Sequence, residues 1–239
     1  PNNDLPGVYG AGAVQTLMNV YGVVPGKRVL MVGAGNIGLI VSYQMKQAGV
    51  DIAGIVEFMP HVGGYWVHAA KVRRLGIPIY LRHTILEALG DRVVKGAMIQ
   101  EVGEKGGLVG EARKVDCDVI CMAVGLTPTC ELLWQAGCEM TFVPELCGYV
   151  AKRDNQMRTS VPTIWVAGDA AGIEEASSAM VEGRVAGLNA ARSLARLMDH
   201  EFDARSSLYW KRLSDLRAGP VGEKIRYGIS QACCGSWEV

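Results

Sequence analysis

The stretch that decides the fold is Arg28-Val-Leu-Met-Val-Gly-Ala-Gly-Asn-Ile-Gly38, in which an apolar run leads directly into the pattern Gly-x-Gly-x-x-Gly. The residues before Gly33 predict a buried strand, and residues 39–49 predict a helix. In such a unit the first glycine permits a tight turn, the second lets the backbone approach a pyrophosphate, and the third allows the helix to pack closely on the strand. The free N–H groups and positive end of the helix favour phosphate. The stretch therefore predicts a dinucleotide site.

The sequence around this stretch predicts half of a doubly wound α/β fold. Apolar residues at helical spacing precede it, and strand and helix patterns alternate after it. A hairpin signal at residues 104–107 and a further buried strand follow. The predicted elements are a helix over 11–21, strands at 28–32 and 50–56, a helix within 60–74 after a Gly63-Gly64 break, a strand at 77–81, short strands within 92–102 and 112–117, and a strand at 118–124.

Glu57 is the candidate ribose-binding residue, because it lies 19 residues after Gly38 at the end of the second predicted strand. An acidic side chain at this place accepts hydrogen bonds from the adenosine ribose and repels a 2′-phosphate, which favours NAD over NADP. The alternative is a surface glutamate at a strand end. A basic group could instead bind the extra phosphate of NADP, but a solvated helix face is the preferred interpretation of these residues, which are His61, Lys71, Arg73 and Arg74.

A second informative stretch is Thr163-Ile-Trp-Val-Ala-Gly-Asp169, in which a predicted apolar strand ends at Gly-Asp and a small-residue helix follows. This order suits a flavin, because the carboxylate can accept a ribityl hydroxyl and the helix N-terminus stabilises negative charge on the ring. The alternative is an aspartate that caps the next helix. The other elements predicted here are a helix at 129–136, strands at 140–143 and 148–152, and helical segments within 173–198 and 208–216.

Composition excludes several other classes of function. Basic and acidic residues balance at 24 each, which gives no indication of binding to nucleic acid or an anionic membrane surface. Residues 1–4 lack the features of a signal peptide, and no apolar run approaches the ~20 residues of a membrane span. Seven cysteines without the spacing of a disulfide scaffold or zinc site predict free thiols in a reducing cytoplasm. Cys233-Cys234 leaves a redox or metal-binding tail as the alternative.

Taken together, the glycine motif with Glu57, the stretch Ala123-Val-Gly-Leu-Thr-Pro128 and the Gly-Asp stretch resemble the flavoproteins with two dinucleotide domains that share the pyridine nucleotide–disulfide oxidoreductase fold. The chain is particularly similar to the FAD/NAD-linked subunits related to hydrogen cyanide synthase, opine oxidase and sarcosine oxidase α subunits. The resemblance implies an α/β, Rossmann-like FAD/NAD(P)-binding fold, with an NAD domain of three-layer ββα/βα arrangement and the C-terminal part of an FAD domain. The implied division is a crossover segment at 1–22, an NAD(P)-binding domain at 23–126, the FAD part at 127–200 and a helical tail at 201–239.

The resemblance also implies the cofactors and the residues that hold them. NAD is expected at the glycine motif and along the end of the strand before Gly125, and FAD is expected at the Gly-Asp turn and the start of the next helix. We predict no catalytic acid, base or nucleophile and no metal ligand, because hydride transfer between NAD(H) and FAD is the chemistry of the cofactors. The residues assigned are Gly33, Ala34, Gly35, Asn36, Ile37, Gly38 and Glu57 for NAD; Val124 and Gly125 for the path of the dinucleotide; Gly168 and Asp169 for the flavin ribityl and phosphate; and Ser178 and Ala179 near its pyrimidine ring.

Two departures from the family limit what is expected. The chain contains no second Gly-x-Gly-x-x-Gly of the kind that binds the FAD pyrophosphate, and it contains no Cys-x-x-Cys, so disulfide reduction is not expected. With apolar residues at 49%, we expect a fragment or subunit that a missing N-terminal FAD segment or a partner subunit completes, as an oligomer. The alternatives are a flavoprotein subunit of an amine or amino-acid dehydrogenase with a vestigial NAD site, and a non-catalytic nucleotide-binding module.

Overall fold

The computed structural model describes residues 1–234, apart from the side chain of Val221, and the chain divides into two compact units between Val124 and Gly125. The first unit contains a five-stranded parallel sheet in the order β1-β8-β2-β3-β4 and a three-stranded antiparallel sheet in the order β5-β6-β7. Its elements are β1 (Val8–Gly10), α1 (Ala11–Tyr21), β2 (Arg28–Val32), α2 (Asn36–Gln47), β3 (Asp51–Glu57), α3 (Trp66–Arg74), β4 (Ile79–Leu81), β5 (His83–Leu89), β6 (Gly96–Val102), β7 (Leu108–Val115) and β8 (Val119–Met122).

Three layers of the first unit follow from the alternation of side chains along the central strand β2. Val29 and Met31 pack on one face in a buried cluster with residues of α1, α2 and α3. Leu30 and Val32 face the opposite side, in a second cluster that includes Ile99 of the antiparallel sheet. The parallel sheet is therefore covered by helices on one face and by the antiparallel sheet on the other, which confirms the predicted three-layer α/β fold.

The second unit contains a two-stranded antiparallel sheet and four α-helices among its described residues. Short 3-10 helices lie at Pro144–Leu146 and Gly168–Ala171. Helices α5 and α6 share a buried cluster around Val181, Val185 and Leu213. The elements are α4 (Glu131–Gln135), β9 (Met140–Val143), β10 (Gly148–Ala151), α5 (Ala176–Ser193), α6 (Asp199–Leu216) and α7 (Gly219–Ala232).

The structure differs from the sequence-based expectation at three segments. The strand expected at 163–167 does not form: only Trp165 makes an isolated bridge, to Arg158, and no second strand lies beside it among residues 1–234. β5 was not predicted, because the corner between β4 and β5 is the single residue Arg82, whose φ of 53° occurs without a glycine or asparagine signal. β1 was also missed, and it pairs in parallel with β8.

The division of the chain into domains remains a prediction. Residues 1–22, expected to be a crossover segment, form β1 and α1 within the first unit. The expected helical tail corresponds to most of α6 and to α7, and its residues 235–239 lie outside the described part of the chain.

Candidate nucleotide-binding sites

The first and third glycines of the motif are required by close contacts. Gly33 has a φ of 105°, and a Cβ atom on it would lie 2.3 Å from the carbonyl oxygen of Ala123. A Cβ atom on Gly38 would lie 2.0 Å from the carbonyl oxygen of Gly33. Both distances are far below van der Waals contact, so the turn after β2, the start of α2 and the end of β8 can pack together only with glycine at both positions.

The second glycine has the opposite surroundings. Gly35 is the N-cap residue of α2, its φ of −72° is open to any residue, and no side chain caps the helix. No heavy atom beyond its chain neighbours comes within 4 Å of the position a Cβ would take. A side chain at position 35 would therefore point into open space beside the start of α2, where the free N–H groups and the helix dipole attract an anion. This cradle fits the pyrophosphate of a dinucleotide.

The loop between β3 and α3 lies against the glycine motif. The N–H of Gly64 donates to the Ala34 carbonyl at 3.0 Å, and the N–H of Tyr65 donates to Asn36 Oδ1 at 2.8 Å. The side chain of Asn36 thus holds this loop, while Ile37 is exposed on the first turn of α2. Residues 64 and 65 were not assigned to the site from the sequence, because the contact joins segments that no local pattern connects.

Glu57 lies at the end of β3, as predicted, and its carboxylate accepts two backbone N–H groups. Ala34 donates to Oε2 at 2.7 Å and Met59 donates to Oε1 at 2.9 Å. Each carboxylate oxygen keeps a second lone pair, so the side chain still fits as an acceptor for ribose hydroxyls. Of the basic residues considered for NADP, Lys71, Arg73 and Arg74 lie in the last turn of α3, where they interact favourably with the helix dipole.

Ala123, directly after β8, packs against the glycine turn and was not assigned to the site from the sequence. Ala123 donates its N–H to the Val32 carbonyl at 2.7 Å, and its own carbonyl lies against Gly33. Val124, the next residue, is 70% exposed and is the last residue of the first unit. Gly125 begins the second unit with a φ of 148°. The assignment of Val124 and Gly125 to the path of the dinucleotide remains a prediction.

The structure brings Gly168 and Ala179 together in the second unit. Gly168 has a φ of 69°, and a Cβ atom on it would lie 3.2 Å from the Cβ of Ala179 on the first turns of α5. Ser178 beside it is buried, whereas Asp169 is exposed and makes no side-chain hydrogen bond with any described residue. A left-handed turn packed on small helix residues, with a free carboxylate next to it, fits the predicted flavin contacts.

A buried charged cluster next to this turn was also missed. Glu182 accepts hydrogen bonds from Arg153 and Arg217, and all three residues are at most 4% exposed. Burial raises the pKa of Glu182, but the charge and hydrogen bonds of Arg153 and then of Arg217 outweigh it and hold the pKa below its ordinary value. The available signal was a glutamate at helical spacing within the buried face of α5, beside Val181 and Val185.

All seven cysteines are free thiols, and Cys117, before β8, and Cys121, within it, are buried. Burial raises the pKa of Cys117 to about 11 and that of Cys121 to about 12. Within residues 1–234, no three His, Cys, Asp or Glu side chains come together as a metal site requires. None of the helices in this part of the chain combines the length and apolar character needed to cross a bilayer.

Curated relatives match most of the chain. An opine oxidase subunit of Agrobacterium tumefaciens is 27% identical over 204 residues, covering 81% of this chain and 41% of the relative. The HcnB subunit of the hydrogen cyanide synthase of Pseudomonas aeruginosa is 26% identical over 255 residues, covering 97% and 52%. Dihydrolipoyl dehydrogenase of the same organism is 35% identical over 156 residues, covering 61% and 30%. The chain thus spans about half or less of the length of these relatives.

Solved structures and a family model agree with these relatives. The thioredoxin reductase of T. acidophilum has a TM-score of 0.65 at 24% identity, covering 80% of this chain and 58% of its own. The L-proline dehydrogenase of P. horikoshii has a TM-score of 0.61 at 20% identity, covering 90% and 34%. These two likenesses show the fold, and the family model described as pyridine nucleotide-disulphide oxidoreductase matches residues 3–183. The chain belongs to this family of FAD- and NAD(P)-binding oxidoreductases.

Proposed function

We propose that the chain forms the NAD(H)-binding unit and the C-terminal part of the FAD-binding unit of an oxidoreductase that transfers hydride between NAD(H) and FAD. The observation that carries this proposal is the contrast within the glycine motif. Close backbone contacts leave no room for a side chain at Gly33 or Gly38, whereas Gly35 faces open space at an uncapped helix N-terminus. Only the position that would face the pyrophosphate is left open, which supports dinucleotide binding rather than a structural turn.

The residues of the chain bind and orient the two cofactors in this proposal. The start of α2 holds the NAD pyrophosphate and Glu57 accepts the ribose hydroxyls. Gly168 and Asp169 contact the ribityl and phosphate part of FAD, with Ser178 and Ala179 near its pyrimidine ring. The bound cofactors supply the redox chemistry, and the protein excludes water and sets the electrostatics around them.

We also propose that a further segment or a partner subunit completes the FAD site. Residues 163–167 lead into the Gly-Asp turn and have no strand beside them among the described residues. Apolar side chains of the second unit are exposed, including Leu126, Leu132 and Trp134. An extended segment without a neighbouring strand and exposed apolar surface both favour association. Several relatives are also named as subunits, including those of opine oxidase and hydrogen cyanide synthase.

The test uses the purified full-length protein under anaerobic conditions. We expect a yellow protein whose visible flavin absorbance is bleached by NADH. Gly35→Asp places a carboxylate in the open space at the start of α2, so this variant should stay yellow and lose bleaching by NADH. Gly12→Asp is the matched control, because Gly12 is also an open glycine in the first turn of a helix of the same unit. A yellow Gly35→Asp protein that NADH bleaches normally contradicts the proposed NAD site.

A second candidate is a flavoprotein that oxidises an amine or amino acid and carries a vestigial NAD site. The observation in its favour is the similarity to opine oxidase and to the alpha chain of the sarcosine oxidase of Rhizobium meliloti. A yellow protein that is bleached by such a substrate and not by NADH supports it. A colourless full-length protein that binds NAD without turnover supports a third interpretation, a nucleotide-binding module without redox activity.

A further inference from the structure

Glu182 lies in the middle of α5 and is surrounded by hydrogen-bond donors. Arg153 Nη2 and Arg217 Nη2 donate to Oε1 at 2.6 Å and 2.5 Å, and Arg153 Nη1 donates to Oε2 at 3.0 Å. The fourth donor is the backbone N–H of Gly168, 2.9 Å from Oε2. A carboxylate has about four acceptor positions, so Glu182 is fully satisfied. A buried charge with this many partners has one well-defined position.

Arg153 fixes the same segment from a second point. Its Nη1 also donates to the carbonyl of Val166 at 3.1 Å. The carbonyl of Val166 and the N–H of Gly168 flank Ala167, and both are held by one ion pair whose members are joined by two hydrogen bonds. The peptide groups on both sides of Ala167 therefore have a fixed orientation where the chain enters the Gly168–Ala171 turn.

Arg217 connects this arrangement to α6. It is the first residue after α6, and its Nη2 donates to Glu174 at 2.8 Å as well as to Glu182. Glu174 lies between the Gly168–Ala171 turn and the start of α5. Two arginines are thus balanced by two carboxylates, which reduces the cost of burying them. The carboxylate that contacts the turn directly is Glu182.

We propose that Glu182 is a positioning residue for the flavin site. Through the N–H of Gly168 it holds the turn in the left-handed conformation that leaves the Asp169 carboxylate exposed beside the first turns of α5. Arg153 and Arg217 act on the flavin site only through Glu182 and the backbone. This inference rests on the proposed function, since it assumes that the turn contacts FAD.

The variant Glu182→Gln separates this role from general packing. The amide has nearly the shape of the carboxylate, but one of its two ends becomes a donor. Its oxygen is drawn to the side where two guanidinium groups converge, so its NH2 group faces the N–H of Gly168. Two donors then oppose each other, and the Gly168 N–H loses its acceptor. Glu174→Gln is the matched control, because Glu174 binds Arg217 and makes no hydrogen bond to Gly168.

The experiment measures FAD affinity of the full-length protein by flavin fluorescence after reconstitution, at a temperature well below the unfolding midpoint of every variant. We expect Glu182→Gln to raise the Kd for FAD at least about tenfold, as for loss of a hydrogen bond to a charged group, and to shift the visible absorption bands of the bound flavin. Glu174→Gln should change the Kd less than about threefold and leave the bands in place, because Glu174 makes its hydrogen bonds to Arg217 and not to the turn.

Two results of the FAD measurement overturn the inference. If wild type binds FAD and both variants bind it as tightly as wild type does, Glu182 has no positioning role, while the proposed function stands. If wild type does not bind FAD, the proposed function fails and the inference fails with it. Should Glu182→Gln not fold, amide hydrogen exchange of Gly168 in the wild-type protein decides. Slow exchange supports the Gly168–Glu182 bond, and exchange at the rate of an exposed amide contradicts it.

Discussion

Ala34 donates its backbone N–H to the carboxylate of Glu57 over 2.7 Å, which ties the glycine loop to the end of the neighbouring strand β3. The other carboxylate oxygen accepts the N–H of Met59 at 2.9 Å. One side chain thus holds the loop and places negative charge at the proposed ribose position. Its removal should affect the choice of nucleotide more than the fold, because Glu57 is the last residue of β3 and is only half-buried.

We expect Glu57→Gln to raise the KM for NADH about tenfold and to bring the KM values for NADH and NADPH closer together. The amide keeps one acceptor but no longer repels a 2′-phosphate. Steady-state kinetics of the full-length protein with both nucleotides measure this. Glu111→Gln, on the exposed strand β7, is the control and should change neither KM. An unchanged ratio of the two KM values in Glu57→Gln contradicts the assignment.

The three glycines of the motif should respond differently to alanine. Gly38→Ala places a methyl group 2.0 Å from the Gly33 carbonyl and should lower the free energy of unfolding by about 2 kcal/mol or more. Gly35→Ala meets open space and a permitted φ, so it should cost at most about 1 kcal/mol while weakening NADH binding. Urea unfolding and NADH titration measure the two effects. A Gly38→Ala protein as stable as wild type would contradict the close packing of α2 on the glycine turn.

Stability in acid should depend on Glu182. Its pKa is lowered by Arg153 and Arg217 in the folded protein, so its contribution to stability is present above the unfolded pKa of about 4.3 and is lost as the pH falls through the lower folded value. Urea midpoints between pH 6 and pH 2, measured at ~0.5 unit steps, report this loss. Glu182→Gln should be less stable at neutral pH, by about 3 kcal/mol, and should show a flatter dependence in this range. If the urea midpoints of wild type and Glu182→Gln fall in parallel as the pH is lowered, Glu182 does not contribute to the loss of stability in acid.

The cysteines should fall into two classes of reactivity. Cys147 and Cys234 are exposed, whereas burial raises the pKa of Cys117 to about 11 and that of Cys121 to about 12. Since the thiolate is the reactive form, a thiol reagent at neutral pH should modify the exposed pair first and the buried pair only after unfolding. Mass spectrometry of peptides after brief alkylation distinguishes them. Rapid labelling of Cys121 in the folded protein would contradict its burial in β8.

Local patterns predicted the elements that depend on nearby residues. α1 runs over Ala11–Tyr21 as expected, since its apolar spacing is regular and Gly22 ends it with a φ of 65°. β9 has the expected bounds, Met140–Val143. The glycine motif could also be predicted, because its strand, loop and helix follow one another directly in the sequence. By contrast, a strand also needs a neighbouring strand, and within the described part of the chain residues 163–167 pair only with the short segment 157–159, through the isolated bridge between Trp165 and Arg158.

Contacts between distant segments could not be predicted. The carbonyl of Ala123 against Gly33, and the carboxylate of Glu182 on the N–H of Gly168, join residues that no periodicity relates. Ala123 and Glu182 were not predicted from the sequence, and each contacts a glycine, Gly33 or Gly168, that was predicted. The pattern located the turns that are proposed to contact the cofactors, and the structure was needed to identify the residues that hold those turns in place.

The contact between Gly33 and Ala123 has a consequence for the order of folding. β2 pairs with β8, and Asp118 before β8 accepts the N–H groups of Lys27 and Arg28 at 2.9 Å and 2.8 Å, so the glycine turn is supported by a strand that is synthesised last in the first unit. Closing such a long loop is slow compared with forming the adjacent β2–α2 unit. We therefore expect the turn to reach its final shape only after β8, which follows the antiparallel sheet in the sequence, has paired with β2. During refolding, nucleotide binding should appear with the slowest phase of the first unit.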